Sequence, residues 1–153
     1  MPKTKHGKRH QARSLALQVL YGLSFSTVKS EEDLRKAYLD YPENSKEGDA
    51  IKEVKEPEGF SWELIQGVYT HLDAIDEQIK RFTLNWRFDR IGHIELTLLR
   101  LAVFELMFCR ETPARVVINE ALELGSDFAA DNCKKFINGI LDAIVKELEK
   151  NSS

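Results

Sequence analysis

Apolar residues recur every three or four positions along most of this chain, which is the spacing of amphipathic helices. Leu15, Ala16, Val19, Leu20 and Leu23 form one such stripe near the start. Ser30 precedes Glu31, Glu32 and Asp33. A serine hydroxyl accepts from an early helix N–H, and acids complement the dipole there, so a second helix is predicted to start at this point. It carries Leu34, Ala37, Tyr38 and Tyr41 and ends before Pro42. Residues 42–58 are polar, broken by Pro and Gly, and read as a surface loop. Ser61 is expected to cap a long third helix with Trp62, Ile65, Val68, Leu72, Ile75, Ile79 and Phe82 on its apolar face; His71 reads as a boundary residue on it. Residues 85–92, NWRFDRIG, make a connector with two aromatic plugs, Trp86 and Phe88. Beyond Pro113, which favours an early helical position, Val117, Ala121, Leu124 and Phe128 define a fifth helix. Asp131 and Asn132 are candidate caps for the last helix, whose core face is Ile137, Ile140, Leu141, Ile144 and Leu148. Gly139 inside it costs about 1 kcal/mol against Ala, so a close approach of another helix is expected there.

The stretch from Ile91 to Cys109 departs from this amphipathic pattern. Only Thr97, Arg100 and Glu105 are polar from Leu96 onward. A helix apolar on nearly every side needs partners all round, so it is predicted to be the central helix of an all-α fold. Arg100 cannot shed its charge and therefore needs a carboxylate. Glu105, five residues on, lies on the wrong face. The acidic edge of the fifth helix, Glu120, Glu123 and Asp127, is the expected source, with Arg100–Glu120 as the structural ion pair.

Length and composition add little except through charge. The 153 residues, 42% hydrophobic, suffice for one domain with its own core. Net charge is −3, but Lys3, Lys5, Lys8, Arg9 and Arg13 all fall in the first thirteen residues, which hold no acid. A basic arm on an acidic body points to a polyanionic partner. Cys109 and Cys133 have no metal or redox spacing. No secretory leader is apparent and the apolar run is too short and charged for a membrane, so a reduced, cytoplasmic setting is expected. There is no GxSxG, no phosphate-binding glycine loop and no HExxH, and neither cysteine stands near a histidine in sequence. No catalytic residue, metal or cofactor is assigned, and the protein is not expected to be an enzyme.

What remains is a recognition surface. Lys8, Arg9, His10 and Arg13 lie near the start of the first helix, where positive charge opposes the dipole unless an anion binds. Lys134 and Lys135 stand near the start of the last helix and are followed by Phe136. Cations beside an aromatic ring suit single-stranded RNA, although periodicity alone puts Phe136 in the core.

KRHQARSLALQVLY (8–21), LLRLAVFEL (98–106), PARVVINEALELGSDF (113–128) and KKFINGILD (134–142) resemble, in order, the signature stretches of the NusB family of bacterial transcription antitermination factors. The resemblance implies about six to seven helices in two small bundles, residues 8–84 and 85–150, within one domain preceded by a disordered basic tail at 1–7. It implies a non-enzymatic protein that binds boxA RNA together with NusE, a small-subunit ribosomal protein, within an RNA polymerase antitermination complex. It carries RNA binding to Lys8, Arg9, His10, Arg13, Asn132, Lys135 and Phe136, and partner contacts to Tyr21 and Glu95. His10 and Asn132 depart from the arginine and aspartate common at those positions. Family members are monomers or homodimers when free. A NusB-like domain also occurs fused to an RNA methyltransferase, and a helical adaptor that never touches RNA is the third reading.

Overall fold

The computed structural model describes residues 7–23, 28–42, 59–83, 88–130 and 132–151. Seven helices and no strand lie among them: α1 Lys8–Leu23, α2 Glu31–Asp40, α3 Gly59–Thr70, α4 Leu72–Arg81, α5 His93–Phe108, α6 Ala114–Phe128 and α7 Cys133–Asn151. The all-α reading is therefore correct. The basic tail before Gly7, the bulk of the 42–58 loop, Trp86 and the Asp131 cap lie outside the described residues. No helix among the described residues is long and apolar enough to cross a membrane. The chain divides into two compact units, residues 1–66 and 67–153. The division falls inside α3, earlier than the connector near residue 84, because α4 packs against α5 and α7.

In the first unit, α1 turns Arg13, Ala16, Leu17 and Val19 inward. The buried face thus runs one step away from the stripe expected from Leu15 and Leu20, both only half-buried. Ser30 caps α2 as expected: its hydroxyl accepts from the Asp33 N–H at 3.2 Å. The Asp33 carboxylate accepts in return from the Lys29 N–H at 3.1 Å. This reciprocal arrangement satisfies two early donors. Tyr41 closes α2 ahead of Pro42, and its hydroxyl donates to Gln18 Oε1 at 2.8 Å. Ser61 is not the cap of α3. The helix begins two residues earlier, at Gly59, whose φ of 90° suits glycine alone. The Ser61 hydroxyl instead meets that of Tyr38 at 2.6 Å inside the core. Two buried hydroxyls satisfy each other there while Tyr38 packs on Trp62, ring centroids 5.3 Å apart.

In the second unit, α5 is central. Nine of its residues are buried, from Thr97 through Leu106, and α4, α6 and α7 all pack on it. The expected long third helix is two helices, with a turn at His71 between α3 and α4. Gly67, one turn earlier, explains what packs there. A Cβ at this position would collide with the Phe104 ring of α5, so the ring needs a glycine to approach the backbone. His71 stacks on Phe108, centroids 4.0 Å apart, and Phe108 on Phe104 at 5.5 Å.

Two expectations are corrected here. Arg100 does not use Glu120. Its guanidinium donates from Nε and Nη2 to both oxygens of Asp76 on α4, each at 2.8 Å. The parallel two-bond fork is the geometry a guanidinium and a carboxylate prefer. Gly139 marks no close approach: it is exposed, and nothing lies within 4 Å of where its Cβ would be. Gly125 is the buried glycine of this unit, in ordinary contact with Leu98, Cys133 and Ile137. Cys109 and Cys133 are buried and not joined in a disulfide.

Candidate RNA-binding surface

The first basic stretch is built on α1. Gly7 accepts the first helical bond, from the Gln11 N–H at 3.2 Å, so Lys8 to Gln11 form the opening turn. No acid stands in that turn. Its free N–H groups and the helix dipole add positive potential to that of the side chains. Lys8, Arg9 and Gln11 are exposed and His10 is half-buried. Arg13 is different: only 6% of it is exposed. Both arginines converge on one ring that sequence reasoning missed. Arg9 Cζ lies 3.9 Å from the centroid of Phe60, and Arg13 Cζ lies 5.3 Å from it. Phe60 comes from the first turn of α3, some fifty residues away in sequence, and directly follows the loop. Its only sequence signal was an aromatic residue beside a turn-forming Gly59.

The second stretch opens α7. Asn132 occupies the turn before the helix and is exposed. Lys134 and Lys135 are exposed in the first turn, which again contains no acid. Phe136 is half-buried, so part of its ring packs and part meets solvent. As on α1, cations sit where backbone N–H groups already favour an anion. The two stretches belong to different units.

The remaining sequence-predicted residues have separate settings. Tyr21, at the far end of α1, is 38% exposed, a large ring open to solvent. Glu95 is half-buried in the first turn of α5, and its carboxylate folds against the Gly92 backbone that precedes the helix. An acid at that position complements the N-terminal dipole. Arg100 is bound to Asp76.

The sequence model of the NusB family matches residues 10–146. The chain belongs to the NusB family. The transcription antitermination protein NusB of Desulfovibrio desulfuricans is 51% identical over 149 residues, covering 97% of this chain and 91% of the relative. The same-named protein of Myxococcus xanthus is 40% identical, with 94% and 99% covered. Among solved structures, Thermotoga maritima NusB superposes with a TM-score of 0.71 at 28% identity, with 92% of each chain covered. A complex of the antitermination factors NusB and NusE with double-stranded RNA gives 0.69 at 28% identity, covering 92% of this chain and 99% of that one. Members of the family are non-enzymatic, RNA-binding antitermination factors.

Proposed function

We propose that this protein is a transcription antitermination factor that, together with NusE, binds boxA in nascent ribosomal RNA and helps to assemble the antitermination complex on RNA polymerase in the cytoplasm. The observation that carries the reading is the pairing of family membership with two exposed cation clusters, each on a helix N-terminus without an acid. In this reading Lys8, Arg9 and His10 hold phosphates on one stretch, and Lys134 and Lys135 hold them on the other. Phosphate contacts fix register but carry no sequence information. Selectivity therefore falls to neutral groups, Gln11 and Asn132, with the open part of the Phe136 ring supporting a base. Asn132 adds no negative charge beside its lysines, which eases the approach of phosphate. Arg13, almost fully buried, supports the first stretch from below and does not grip phosphate with an open side chain. Tyr21 and Glu95 face NusE, and residues 8–150 work as one functional domain. The acidic body suits a basic ribosomal protein, whose encounter it would accelerate.

The test is binding of a boxA-like single strand, a scrambled strand and a duplex, each with and without NusE. The expected result is preference for boxA that tightens when NusE is present. Equal affinity for boxA and scrambled RNA in the presence of NusE would refute the assignment. Binding of NusE with no RNA bound at all would favour the adaptor reading. The double alanine variant at Lys8 and Arg9 should retain NusE affinity, since these cations are assigned to phosphate and not to the partner. It is preferable to deleting the arm through Arg13, which would remove a buried side chain.

A further inference from the structure

We infer that Phe60 is a positioning residue for RNA binding: its ring holds the Arg9 guanidinium in place at the start of α1 before RNA arrives. The inference rests on the RNA reading above and adds to it a residue from outside the basic stretches. Three observations carry it. First, Arg9 Cζ stands 3.9 Å from the Phe60 centroid, within the range where a ring face attracts a cation. Second, Arg13 stands over the same ring at 5.3 Å, so one aromatic serves two arginines. Third, the helix start is otherwise unfavourable. Arg9 and Arg13 are like charges one turn apart, and Arg9 opposes the dipole of a first turn that holds no acid. A ring face over which both cations stand offsets part of these penalties in the RNA-free protein. For Arg9 the holding group is a ring face, whereas a carboxylate in its place would compete with phosphate for the guanidinium. An arginine held by a ring keeps all its N–H donors for a ligand; an arginine held by an acid does not.

The position of Phe60 is itself arranged. Gly59 adopts φ of 90°, which lets the chain turn into α3 with Phe60 in its first turn. Ser61 and Tyr38 then pin that turn to α2 through their 2.6 Å hydroxyl contact. The ring is thus carried by a fixed helix end, and Arg9, which reaches it, is exposed. Holding a flexible side chain in its binding geometry reduces the ordering cost of association.

The experiment is a double-mutant cycle on the full chain, reading affinity for a short boxA-like RNA across a salt series. Phe60→Leu keeps apolar bulk and removes the ring face. It should weaken RNA binding about three- to tenfold, the range expected of a partly shielded cation–ring contact. The salt slope should stay that of the parent, because Arg9 still reaches its phosphate. Phe60→Trp should restore affinity to within about twofold. In the Arg9→Ala background, which itself lowers the slope by about one contact, Phe60→Leu should cost less than about twofold. In the RNA-free protein, the Arg9 Nε–H proton resonance should carry a ring-current shift that Phe60→Leu removes and Phe60→Trp keeps. Equal losses from Phe60→Leu with and without Arg9 would overturn the inference, as would full affinity in Phe60→Leu or an Arg9 resonance indifferent to it. Failure of the parent protein to bind RNA at all is a different result, and it would take the RNA reading down first.

Discussion

Replacing Arg100 by Ala should destabilise the protein by about 2 kcal/mol, and the figure follows from the setting of its partner. Two 2.8 Å bonds join its guanidinium to Asp76, each between full charges. The side chains are 21% and 18% exposed, so neither surface nor deep-core values apply. A surface pair contributes about 0–1 kcal/mol, and breaking one that is fully buried costs about 3–5 kcal/mol. A pair four-fifths buried, with both carboxylate oxygens engaged, falls between these limits. For a chain of this length about 2 kcal/mol corresponds to a fall in Tm of about 4–8 °C. Asp76→Ala should behave similarly, since it strands the guanidinium. The double variant should cost clearly less than the two singles together, with a coupling of about 1–2 kcal/mol by urea denaturation. Arg100→Lys keeps the charge and loses the fork, so it should recover less than half of the loss. Additive single effects, or an Arg100→Ala within about 0.5 kcal/mol of the parent, would refute the reasoning.

Gly67→Ala should cost about 1–3 kcal/mol, because its Cβ would enter the space of the Phe104 ring. Most of that additional cost should vanish in a Phe104→Leu background; a penalty independent of residue 104 would point to another cause. Gly139→Ala should raise stability by about 0.5–1 kcal/mol, since the position is exposed, helical and open. A fall in Tm there would favour the close approach that a glycine inside a helix suggested.

The elements were legible wherever local chemistry decides them. Ser30 with its three following acids announced α2, and Pro42 its end, because capping and proline sterics act within a few residues. The apolar run of α5 announced a central helix because few arrangements bury such a surface. What failed needed knowledge of which elements meet. Arg100 was correctly seen to require an acid from another helix, but both α4 and α6 offer acids, and only packing selects Asp76. The apolar stripe 62–82 runs on past His71 in the sequence although the helix does not. A glycine within a helix signals either close packing or nothing, and Gly67 and Gly139 show the two cases. At the candidate site the cations were readable from charge asymmetry. The burial of Arg13 and the ring beneath Arg9 were not, because Phe60 lies beyond a loop whose length hides the contact.

The central claim is that the openings of α1 and α7 bind RNA through phosphate, and salt dependence tests it most directly. Affinity for boxA-like and scrambled single strands should be measured with NusE present from low to moderate salt. Alanine at Lys8, Arg9 or Lys135 should each reduce the slope of log affinity against log salt by about 0.7, equally for both RNAs. Asn132→Ala should leave the slope alone and change the ratio between the two RNAs. Slopes unmoved by loss of these cations, or losses confined to boxA alone, would contradict the account.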